Sequence, residues 1–144
     1  MPQFDPERMV KLVSELRRSV GRLRDIAKLS TEDFLEDPDK IGSSKYHFIV
    51  AIESCIDMCT HVISRNGYRA PEDYADTFRV MGEEGAFGLE FSVELCNMAR
   101  FRNRLVHLYW EVDDKQVYDI FQGRLDDFKK FLDFIARFLE WDQQ

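Results

Sequence analysis

Glycine and proline are scarce, at 7 and 4 of 144 residues. So few breakers leave room for long helices. No stretch alternates apolar and polar residues in the strand pattern, and no internal repeat is found. Cys55, Cys59 and Cys96 are an odd set with no CxxC pair, which argues against a disulfide framework and reads as reduced thiols in a cytoplasmic protein. No run approaches about 18 consecutive apolar residues, so no transmembrane helix and no membrane partner are expected. The start, Met1-Pro2-Gln3-Phe4-Asp5, lacks a basic segment followed by an apolar one, so no signal peptide is expected. A Gly-rich phosphate loop and a Ser-His-Asp set are missing, which argues against nucleotidyl transfer by this chain itself.

What is present is a globular composition, with 44% hydrophobic and 33% charged residues, in a length that fits one domain over 1–144. The net charge of −7 argues against indiscriminate nucleic-acid binding. The charge is unevenly placed, however. Arg8, Lys11, Arg17, Arg18, Arg22, Arg24 and Lys28 stand against only Glu15 and Asp25, and Arg100, Arg102 and Arg104 form a second basic group. The stretch from Pro71 to Glu94 and the C-terminal stretch are acidic. An anionic ligand would meet the first helix and the 100–104 group; equally, Arg17, Arg18, Arg22 and Arg24 can be a plain solvated helix face.

Apolar residues recur at helical spacing. Val10, Val13, Leu16, Val20, Leu23 and Ala27 predict a helix near 6–29, opened by Asp5-Pro6. Ser30 or Thr31 can cap a short helix over 31–36, and Asp37-Pro38-Asp39 breaks the chain. Phe48, Ile52, Cys55, Ile56, Cys59 and Ile63 predict a long helix near 41–65, closed by Asn66-Gly67. Tyr74, Phe78 and Met81 suggest a helix near 72–83, and Leu89, Val93, Leu95, Met98, Ala99, Leu105 and Leu108 another over about 88–109. Val117, Phe121, Leu125, Phe128, Leu132, Ile135 and Leu139 carry a last one near 114–140. The expected fold is all-α, an up-and-down antiparallel bundle of four to five helices.

The most informative stretch is Arg102-Asn103-Arg104-Leu105-Val106-His107-Leu108-Tyr109. Arg102 and His107, five apart, are separated by about 140° around a helix, so they border one groove rather than share a stripe. Arg104 and His107 are i,i+3 neighbours on one face. A guanidinium holds an anionic phosphate by a fork of hydrogen bonds, and an unperturbed imidazole trades protons near neutrality. Trp110 reads as a packing residue.

This stretch resembles the signature of HEPN domains, an Arg, a polar residue and a His at Arg-x4-His spacing. The Tyr two residues after the His makes it similar to the HepT-like branch. Val112-Asp113, Asp37-Pro38-Asp39-Lys40-Ile41 and Ala51-Ile52-Glu53-Ser54-Cys55-Ile56-Asp57 also look like that family, so the resemblance covers nearly the whole chain. HepT-like proteins are toxins of type VII toxin–antitoxin pairs whose antitoxin is a minimal nucleotidyltransferase of the MntA type. The resemblance implies a metal-independent endoribonuclease that needs no cofactor, with Arg102 as charge clamp and His107 as acid/base group. It implies attachment of AMP to Tyr109 by the antitoxin. Asn103 would orient a phosphate oxygen or the His107 ring through its amide, Arg104 would support the site, and a homodimer would bring two copies of the motif together around RNA. The rival expectation, from a different class, is a non-catalytic helical partner subunit of a nucleotidyltransferase whose motif recognises a nucleotide.

Glu53, Asp57 and His61 are spaced i, i+4, i+8 and form one polar stripe. A metal site is conceivable, but helical-bundle metal sites use Glu-x-x-His on paired helices and none occurs here. A hydrogen-bond network that props the motif helix fits better, with Asp57 orienting or pairing with Arg102 or His107. Cys55 and Cys59, among apolar neighbours, read as core.

Overall fold

The structure is a computed structural model, and residues 1–142 are described; Gln143 and Gln144 of the expected 1–144 domain lie outside the described residues. Among the described residues there are seven α-helices and no strand. They are α1 (Pro6–Ile26), α2 (Thr31–Leu35), α3 (Pro38–Asn66), α4 (Tyr74–Glu83), α5 (Leu89–His107), α6 (Asp114–Gly123) and α7 (Asp126–Phe138), with a 3-10 turn over Tyr109–Glu111 between α5 and α6. The all-α expectation holds, with more helices than the four to five foreseen.

Local chemistry sets the ends. Asp5 accepts from the Glu7 amide and Pro6 opens α1. Asp37 accepts from the amides of Asp39 and Lys40 and Pro38 opens the helix, so the expected break falls between α2 and α3, with α3 starting at Pro38 rather than near 41. Gly67, at φ 64, closes α3 in the left-handed conformation that disfavours a side chain. The single helix expected over 114–140 is two. Gly123 ends α6, Arg124 caps it, and the acidic pair Asp126-Asp127 opens α7. The apolar stripe runs through the break, because Val117, Phe121, Leu125, Phe128, Leu132, Ile135 and Leu139 are all buried. Periodicity therefore gave no sign of it.

The helices run antiparallel around α3. Asn66 exchanges hydrogen bonds with the Gln3 backbone, which sets the start of α1 beside the end of α3. Arg24 reaches Asp126 and the ring of Phe4 meets Trp141, so α7 returns along α1. On the other side, α4 and α5 form a hairpin, and the Cys96 thiol donates to the Ala75 carbonyl across it. Gly82 makes the close approach possible, since a Cβ there would collide with Ser92 Oγ. The core joins Leu16, Leu23, Phe34, Phe48, Ile52, Phe78, Leu95, Phe121 and Phe131 from all seven helices. Cys55 and Cys59 lie inside it, where burial pushes both thiols upward in pKa. Among the described residues α3 alone is long and apolar enough to cross a membrane, but 56% of its apolar window is buried inside the bundle, as suits a core helix.

Five residues of the expected stripes are exposed instead: Val10, Tyr74, Leu89, Val93 and Leu108. On α1 the inward positions are Met9, Leu12, Val13 and Leu16. Val10 sits one residue, about 100°, from Met9 and so points away.

Candidate functional site

The last two turns of α5 divide the motif between inside and outside. Leu105 is buried and pins this end of the helix to the core, where the nearby Phe101 ring meets Phe48 of α3 edge-on at 5.7 Å. Arg102, three residues before Leu105, shares its inner face, and its side chain is only 12% exposed. Arg104 and His107, also three apart, share the outer face and are exposed. Neither side chain has a hydrogen bond or ion pair among the described residues.

Arg102 is held on three sides. Its Nε donates to Glu53 Oε2 at 3.1 Å, and its Nη2 lies 3.1 Å from the same oxygen. Its Nη1 donates to Asn103 Oδ1 at 3.0 Å. The guanidinium lies 4.8 Å from the ring centroid of Tyr74, the first residue of α4. A guanidinium carries five N–H donors in a rigid fork, so one N–H on Nη1 and another on Nη2 stay open for a phosphate oxygen.

The helix ends at His107. Leu108, at φ −130 and ψ 39, turns the chain, and its amide donates to the Arg104 carbonyl. Residues 109–111 therefore leave the helical phase. Trp110, expected to pack, is 77% exposed and lies in an apolar surface run with Val106, Leu108 and Tyr109. Tyr109 is 45% exposed, and the Lys45 ammonium of α3 sits 4.3 Å from its ring centroid.

The polar stripe of α3 is split between three tasks. Glu53 takes the role expected of Asp57, pairing with Arg102. Asp57 is exposed and makes no hydrogen bond or ion pair with Arg102 or His107. Partial burial pushes its carboxyl upward in pKa, Arg8 opposes this, and Glu53 adds to it. One turn further on, His61 accepts from the Asp5 amide through Nε2 at 2.9 Å, which ties α3 to the start of α1. Burial, then Arg65, lower its pKa, so the neutral, accepting ring is favoured. Among the described residues no group of three His, Cys, Asp or Glu side chains gathers as metal ligands would.

Of the expected site residues, then, Arg102 and Asn103 are brought into direct contact, Arg104 and His107 flank them on the outer face, and Tyr109 follows beyond the helix end. Three neighbours were missed: Glu53 in its actual role, Tyr74 and Lys45. Lys45 left a trace in the sequence, since it falls on the apolar stripe of Ile41, Phe48 and Ile52, where a lysine needs a partner.

The fold and the site together define a small helical-bundle domain with an immobilised arginine and an exposed histidine at one helix end. A family profile described as ribonuclease HepT-like matches residues 16–135, and the chain belongs to that family. It is similar to the mRNA nuclease HepT of Shewanella oneidensis, strain MR-1, at 24% identity over 127 residues, which cover 88% of this chain and 95% of that protein. Among solved structures, it superposes on a toxin–antitoxin complex with AMP-PNP at a TM-score of 0.85 and 22% identity, over 91% of this chain and 98% of the other. It superposes on the tri-AMPylated HEPN toxin of S. oneidensis in complex with MNT antitoxin at 0.83 and 23%, over 90% and 97%. YutE of Bacillus subtilis, a cytosolic protein of unknown function, matches at 0.83 and 17%, over 97% and 94%.

Proposed function

We propose that this chain is a HepT-like toxin, an RNA endonuclease that works without a metal ion and is neutralised by adenylylation of Tyr109 by a nucleotidyltransferase antitoxin. The observation that carries the reading is the division of labour on α5: Arg102 fixed with open N–H groups, His107 exposed and free. A ribose 2′-hydroxyl attacks the adjacent phosphorus, and the bond from phosphorus to the 5′-oxygen breaks. A cyclic phosphate and a free 5′-hydroxyl remain. The attacking hydroxyl must lose a proton and the leaving oxygen must gain one, and His107 serves one of these transfers. Arg102 neutralises charge growing on the phosphoryl oxygens, with Arg104 adding a cation at the outer rim and Asn103 steadying the guanidinium. One chain supplies one such His, so a two-fold homodimer pairing two α5 helices would supply both transfers. Light scattering should then report twice the 17.1 kDa chain mass.

Adenylylation of Tyr109 places an anion and bulk two residues from His107. Like-charge repulsion with the RNA phosphate and steric block then close the site. The family likeness and the exposure of Tyr109 support this.

The rival, a non-catalytic subunit that binds nucleotide beside a transferase, draws support from the same Arg102, whose contacts with Glu53 and Asn103 are already made. Pure protein incubated with RNA in excess EDTA separates the two. Cleavage that disappears in His107→Ala supports the nuclease; intact RNA with the wild-type chain leaves the rival standing.

A further inference from the structure

Lysine is almost never fully buried without a partner, and Lys45 is 5% exposed. Its ammonium has two neighbours. Asp114 Oδ1 lies 2.8 Å from Nζ, and the Tyr109 ring centroid lies 4.3 Å away. Asp114 is the first residue of α6, where the helix dipole favours a carboxylate. One lysine thus joins α3, the 3-10 turn and α6.

The turn has little else to hold its tyrosine. It spans three residues; the Glu111 amide closes it on the Leu108 carbonyl at 2.8 Å, but the Val112 amide reaches the Tyr109 carbonyl only at 3.4 Å, and neither bond involves the Tyr109 side chain. The Tyr109 hydroxyl has no hydrogen bond among the described residues. The ring is restrained by the ammonium against it, and the oxygen is left unengaged.

We propose that Lys45 is the positioning residue for modification of Tyr109: held by Asp114, it fixes the ring and presents the phenol oxygen to a nucleotidyl donor. This rests on the reading of Tyr109 as AMP acceptor. In that step Tyr109 Oη attacks the α-phosphorus of ATP, the bond to the bridging oxygen of the β-phosphate breaks, and pyrophosphate leaves with the electron pair. The phenolic proton passes to water or to a base of the transferase. The product is a tyrosyl phosphodiester with one negative charge, attached to a ring already in contact with a cation. Coulomb attraction to Lys45 therefore favours the modified state as well as its formation.

Lys45→Met keeps length and apolar stem but removes the charge. Lys45→Arg keeps a cation that can face both the ring and Asp114. Each purified variant is incubated with ATP and a cognate minimal nucleotidyltransferase, and intact mass is followed over time. Lys45→Met is expected to be modified about tenfold more slowly, as loss of a desolvated cation–ring contact implies, with the loss in kcat rather than in KM for the toxin. Lys45→Arg should recover to within about threefold. If Lys45→Met does not fold, Asp114→Asn, which removes the countercharge that holds the ammonium, should still slow modification. Modification of Lys45→Met, or of Asp114→Asn in its place, at the wild-type rate overturns the proposal. A wild-type chain that is never modified sinks the acceptor reading instead. Lys45 is then judged by the aromatic proton signals of Tyr109, assigned by their loss in Tyr109→Leu. They should move in Lys45→Met and return in Lys45→Arg, and signals that stay put overturn the positioning role.

Discussion

Two arginines, Arg69 and Arg102, each grip carboxylates from elsewhere in the chain, and they do opposite things. Arg69 spends all its nitrogens: Nη1 and Nη2 on the two oxygens of Asp76 at 2.7 and 2.9 Å, Nε and Nη2 on Glu83 at 3.1 and 2.8 Å. Asp76 is buried and also accepts from Arg79 and from the Glu72 amide. This knot fastens the connection after α3 to α4 and leaves one of the five N–H groups, on Nη1, unbonded, against two on Arg102. Arg102 meets one carboxylate and one amide oxygen, leans on an aromatic ring, and keeps N–H groups in hand. The comparison teaches that saturation, more than charge or burial, separates an arginine that holds the fold from one that can hold a ligand.

The sharpest way to break that contrast is at the motif. Arg102→Ala and His107→Ala should each lower RNA cleavage by about a hundredfold or more while circular dichroism and the thermal melt barely change. Unfolding of either variant at growth temperature would move that residue into the structural column with Arg69.

Asp76→Asn should do the reverse. It should cost about 2 kcal/mol in chemical denaturation and leave cleavage untouched, since it weakens a buried acceptor shared by two arginines and Asp76 bonds neither Arg102 nor His107. Its pH dependence has a definite sign. Arg69, then the Glu72 amide, hold the Asp76 carboxyl well below the usual carboxylate range. The folded state therefore keeps the charge to lower pH than the unfolded chain does. The stabilisation is present above the ordinary Asp range, about 3.9, and is lost as pH falls below it. Wild-type stability should fall through that window, and Asp76→Asn should show a flatter acid limb.

Glu53→Gln sharpens the contrast from the partner's side. The amide oxygen still accepts from Arg102 but the countercharge is gone, so cleavage should drop by about tenfold. Asp57→Asn should have the smallest effect, within about twofold, because Asp57 touches neither Arg102 nor His107. Equal losses in the two variants would return Asp57 to the site.

Helices were legible because each buries one stripe, and the motif was legible because its residues are close in sequence. What periodicity could not show is where a stripe crosses a break, as at Gly123, or where helical phase stops, as at Leu108 just before Trp110. The partners of the motif were hidden for another reason. Glu53 is 49 residues from Arg102, and nothing local distinguishes it from Asp57 one turn on. Only the packing of α3 against α5 decides which carboxylate arrives. Tyr74 likewise looked like one more apolar helix residue until α4 was set beside the guanidinium.

Lys45 and Glu53 stand on one continuous helix, about two turns apart, and each reaches a different part of the motif region. Adding or deleting a single residue between them would swing one relative to the other by about 100° and disengage Tyr109 or Arg102. Relatives that keep this arrangement should therefore vary in length at the loops and never inside that span. The spacing of two charges along α3 is a ruler against which any proposed alignment of this chain can be checked.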